Sequence, residues 1–69
     1  MSPRDLRRLC EGRGFDCYYD RPSYSWYVLG DAGRGPETVW YGSATSLRTM
    51  SLAAMTRELD QWERGATPR

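Results

Sequence analysis

Leu6, Leu9 and Cys10 fall at i, i+3 and i+4 in a stretch otherwise made of arginines and acids. That spacing puts one apolar stripe on a helix. Ser2 precedes Pro3, with Asp5 three positions after Ser2, and Gly12 and Gly14 follow, so cap and stop signals predict a helix over 3–12. From Phe15 the period changes to two. "FDCYYD" (15–20) sets Phe15, Cys17 and Tyr19 against Asp16, Tyr18 and Asp20; "YSWYVL" (24–29) sets Tyr24, Trp26 and Val28 against Ser25, Tyr27 and Leu29. "TVWYG" (38–42) sets Val39 and Tyr41 against Thr38 and Trp40. "RPS" (21–23) reads as a turn, "GDAGRGPE" (30–37) as a loop, and "SATSLRT" (43–49) as a linker of small hydroxylated residues. Leu52, Met55, Leu59 and Trp62 then mark one face of a second helix over 51–64, which Ser51 opens and Gly65 closes.

The order is α-β-β-β-α. A three-stranded antiparallel meander with both helices on one face is a two-layer α+β domain, expected over residues 1–65 with a disordered tail at 66–69. The other sheet face is left open to water or a partner. Five tyrosines, three tryptophans and one phenylalanine exceed what one side of so small a sheet can bury. Some rings belong to the core and some to a platform. Strict alternation says which rings share a face, not which face the helices cover.

Charge narrows the function. Ten basic residues, all arginine, stand against nine acids for a net charge of +1, a weak electrostatic footprint for a nucleic-acid binder. There is no histidine to act as a base, and Cys10 and Cys17 lie on apolar faces, where packed thiols are inert. Two cysteines without a CxxC spacing or a histidine make neither a zinc site nor a disulfide scaffold, so no metal and no cofactor is expected. No apolar run suggests a membrane partner or a leader, and the expected setting is cytoplasmic, with both thiols free.

In element order, element length and local words, residues 2–60 resemble the HicA family of small messenger-RNA interferase toxins, and more loosely the double-stranded-RNA-binding domain. "SPRDLRRLCEGRGF" is similar to that family's opening helix, "GPETVWY" to its third strand and "MSLAAMTREL" to the start of its closing helix. "RPSYSWYVL" stands where the family has a glycine–serine–histidine word followed by an aromatic residue. The resemblance implies a catalytic histidine at the position of Tyr24. A tyrosine, with an unperturbed pKa of about 10, is a poor general base at neutral pH, and with no other histidine in the chain, cleavage by that mechanism is not expected.

What remains is a non-catalytic binding module. Trp26, Tyr24 and Trp40 are the expected platform rings, with Arg21 and Arg34 at the rim. Stacked bases with phosphates on the arginines would make the partner RNA. A patch of Trp, Tyr and Arg also has the composition of a protein hot spot, and the near-neutral charge favours a protein partner. Size and composition suit an accessory protein or inhibitor carried by a mobile element such as a phage or plasmid. The strand at 15–20 could also pair with a second copy, which leaves monomer and dimer both open.

Overall fold

The computed structural model describes residues 1–66. It has six elements: α1 (Pro3–Arg13), β1 (Asp16–Asp20), β2 (Ser25–Asp31), β3 (Pro36–Ser43), α2 (Ala44–Thr49) and α3 (Leu52–Ala66). The strands form one antiparallel sheet in the order β1-β2-β3. The α+β arrangement is the one the periodicity predicts. Of the tail expected at 66–69, Ala66 is instead the last residue of α3, and residues 67–69 lie outside the described residues.

α1 begins as its cap signal requires. The Ser2 hydroxyl accepts the Asp5 amide at 3.2 Å, and Gly14, at φ 78°, ends the helix in the left-handed conformation. The Phe15 amide then donates to the Cys10 carbonyl. α3 opens on Ser51, whose hydroxyl accepts the Ala54 amide at 3.0 Å. It runs through Gly65 to Ala66, past the expected stop. Arg13 ties the end of α1 to α3 through Asp60, at 2.7 Å, and Glu63.

The stretch 43–49, expected to be a linker, is the helix α2. Ser43 caps it by accepting the Ser46 amide at 3.1 Å, and Leu47 is its one buried anchor. Six residues with a single large apolar side chain are too short to show a period, and two threonines and a serine are weak helix formers. The helix is held by its cap and by burial of Leu47.

Leu6 and Cys10 from α1, Phe15, Trp26 and Val28 from the sheet side, Leu47 from α2, and Met55 and Leu59 from α3 form one core. All three helices therefore cover the same side of the sheet. Gly30 and Gly42 make this close approach possible. A Cβ at Gly30 would lie 2.7 Å from the Trp62 ring and 2.9 Å from Phe15, and one at Gly42 would lie 2.8 Å from the Trp40 ring.

The β2–β3 connection is tighter than the expected loop over 30–37. Pairing continues to Asp31 and Pro36, leaving residues 32–35 as the turn. The Asp31 carboxylate accepts the Gly33 and Gly35 amides at 2.7 and 3.2 Å, and both glycines have φ near 90°. Between Val28 and Leu29 the register with β3 slips, so that Val28 faces Trp40 while Leu29 faces Thr38. The extra residue, Val39, makes a β-bulge and packs with Trp40 toward the core. Strict alternation would have put Val39 and Trp40 on opposite faces.

Candidate functional site

The face without helices is built by register. Tyr18 of β1 faces Tyr27 of β2, which in turn faces Tyr41 of β3. The Tyr18 and Tyr27 ring centroids are 5.3 Å apart and the planes 11° from parallel; for Tyr27 and Tyr41 the values are 5.9 Å and 17°. Three stacked rings thus cross the full width of the sheet. On one side of this row lie Asp16, Leu29 and Thr38; on the other, Asp20, Ser25 and Ser43. Tyr18 is 45% exposed and Tyr41 67%, an apolar surface with polar hydroxyl tips on a face whose flanking residues, Leu29 apart, are polar.

Charge is divided between the layers. The three strands hold four acids (Asp16, Asp20, Asp31 and Glu37) and no arginine. Four arginines sit on α1 and others on α2 and α3. Two of the strand acids also shape the ends of the sheet. Asp31 organises the β2–β3 turn, and Asp20 accepts the Ser23 hydroxyl at 2.6 Å and the Ser23 amide at 3.2 Å. Asp16 stays exposed beside the tyrosine row.

Of the rings expected to form the platform, only one is exposed. Trp26 is 6% exposed, inside the core beneath the guanidinium of Arg7, which lies 5.6 Å from its ring centroid. Trp40 is half-buried against the core on the same side. Trp26 and Trp40 do share a face, but it is the one the helices cover. Tyr24 belongs to neither face: it sits in the turn between β1 and β2, 73% exposed, with φ 54°. Arg21, in the same turn, is exposed. Arg34, at the opposite end of the sheet, pairs with Glu37 at 3.0 Å. The expected set is thus dispersed, and the rings that do assemble are Tyr18, Tyr27 and Tyr41.

That row was within reach of the sequence. Asp16, Tyr18 and Asp20 share a face by alternation, and two unpaired carboxylates cannot be buried cheaply. Tyr18 therefore points away from the helices. A hairpin closed by Asp20 and Ser25 places Tyr27 opposite Tyr18.

The cysteines lie on the helix side. The Cys10 thiol is buried on α1 near Cys17 of β1; burial first, then the neighbouring Cys17, push it up to about 12. Cys17, half-buried, is also raised, chiefly by burial. Neither thiol is an activated nucleophile. Among the described residues no group of three or more Cys, Asp and Glu is placed to hold a metal ion, and no helix is long and apolar enough to cross a membrane.

Compared with known protein families, curated proteins and solved structures, the chain matches none of them.

Proposed function

We propose that this protein is a non-catalytic binding module that docks a protein partner on its open sheet face, centred on Tyr18, Tyr27 and Tyr41. The observation that carries this reading is the tyrosine row itself. Three large rings lie on the solvent side of the sheet, where the core gains nothing from them. Tyrosine supplies broad contact area with little conformational entropy to lose, which is why it concentrates in binding surfaces.

Two features favour protein over RNA. A base-stacking platform needs free ring faces, yet both faces of Tyr27 are turned to its neighbours. A nucleic-acid groove also needs cations beside its rings, and the strands here carry carboxylates instead.

The test is affinity capture from host extract with wild-type protein and with folded Tyr27→Ala and Tyr41→Ala variants, with and without nuclease, across a salt series. The expected result is a protein captured by the wild type, indifferent to nuclease, and lost with either substitution. Capture that nuclease abolishes and salt weakens steeply would instead show a nucleic-acid ligand.

A further inference from the structure

β1 is an outer strand of the sheet, and its free edge differs from that of β3. Pro36 lacks an amide to donate and Val39 bulges out of register, two devices that blunt an edge. β1 has neither. Its pairing with β2 is unbroken from Asp16 to Asp20. Tyr18 and Tyr19, in mid-strand, are 45% and 37% exposed. Added strands extend such an edge through main-chain hydrogen bonds, while alternate side chains set specificity.

The side chains along this edge select the incoming strand. Antiparallel pairing of β1 with a second copy, centred on Tyr18, would set Asp16 of each chain opposite Asp20 of the other. Like charges directly opposite are destabilising, and the pairing would produce two such contacts. The same carboxylates complement a cationic strand, and Tyr18 between them offers its outer ring face to an aromatic or guanidinium group.

Resting on the protein-docking reading above, we propose that the free edge of β1 accepts an extended, basic segment of the partner protein. That segment places cationic side chains against Asp16 and Asp20 and continues the tyrosine row beyond Tyr18.

The probe is a short blocked peptide that alternates Lys, Val, Tyr, Val and Lys, beside the same peptide with Glu for Lys and a third with Pro for Val. Binding is read by fluorescence anisotropy, and strand addition by amide hydrogen exchange across 16–20. The basic peptide is expected to bind on the order of tenfold more tightly than the acidic one and to slow exchange in β1. The proline peptide, which keeps the charges but loses two backbone donors and is held away from strand dihedrals at both prolines, should bind more weakly. Asp16→Lys, which leaves one cation and one carboxylate along the edge, should erase the charge preference in that variant; Asp16 is chosen because Asp20 also braces the turn. Equal binding of the acidic and basic peptides, binding without slower β1 exchange, or no binding at millimolar peptide would each overturn the proposal. Partner capture that still depends on Tyr27 and Tyr41 would then show that the face works without its edge, so the two readings fail separately.

Discussion

Tyr18 and Tyr27 stand opposite each other on neighbouring strands, their rings 5.3 Å apart and 11° from parallel. On the other side of the same two strands, Tyr19 and Trp26 also meet, at 5.4 Å but tilted by 53°, with Trp26 in the core. Adjacent residues on each strand thus serve opposite layers, and truncation should separate them. Trp26→Ala removes a buried ring and should cost about 3–5 kcal/mol, enough to unfold much of so small a domain. Tyr27→Ala loses two exposed stacking contacts and should cost about 1–2 kcal/mol. Thermal and urea melts of the two variants check this; equal losses would mean that the open face is part of the folding core.

Gly30→Ala should be far more costly than an ordinary glycine substitution in a strand. The added methyl would lie 2.7 Å from Cη2 of Trp62 and 2.9 Å from Cε1 of Phe15, closer than carbon atoms approach. Overpacking of this kind costs about 1–3 kcal/mol. Shortening the opposing ring with Trp62→Leu in the same chain should return part of that loss. The measurement is a double-mutant cycle in urea, with the prediction lost if the two substitutions simply add.

The Cys10 thiol gives stability a pH dependence whose sign is fixed by its environment. Its ordinary value is near 9, and burial together with Cys17 pushes it up to about 12 in the folded chain. Between those values the unfolded chain gives up a proton that the native state keeps. Stability from this group is therefore complete below about pH 9 and falls as the pH rises toward 12, by up to about 1.4 kcal/mol per unit. Urea midpoints at pH 8 and pH 10.5 should diverge more for the wild type than for Cys10→Ala. The same slope in both proteins would show that Cys10 ionises equally in the two states.

The helix–strand–strand–strand–helix order was legible because each long segment declares its period. Leu6 and Cys10 define α1, and Met55 and Leu59 define α3. The hidden features are those set by tertiary contact. α2 depends on Leu47 reaching the core, which six residues of local pattern do not reveal. The bulge at Val39 breaks the alternation on which the reading of β3 rested. Tryptophan is the most conspicuous ring in the sequence, but the physical determinants of the open face are quieter. Asp16 and Asp20 mark the side that must stay wet, and Gly30 and Gly42 mark the side that rings from the helices and from β3 must approach.

Tyr24 combines two properties that rarely coincide, and they predict opposite effects for one substitution. Its φ of 54° places a bulky side chain in the left-handed region, where residues other than glycine pay roughly 1–2 kcal/mol. Its ring is 73% exposed, so packing does little to offset that cost. Glycine at this position relieves the strain, less a smaller loss from the freer unfolded chain. Tyr24→Gly should therefore stabilise the domain by about 1 kcal/mol, a rise of roughly 4–8 °C in Tm for a chain of this length. A strained, exposed aromatic at a hairpin tip is a reason to look for function. Tyr24 lies beside the Asp20–Ser25–Ser43 end of the open face, within reach of a partner seated on the tyrosine row. The same substitution should then weaken partner capture while it raises Tm. An unchanged Tm would remove the strain argument, and unchanged capture would confine the binding face to the strands.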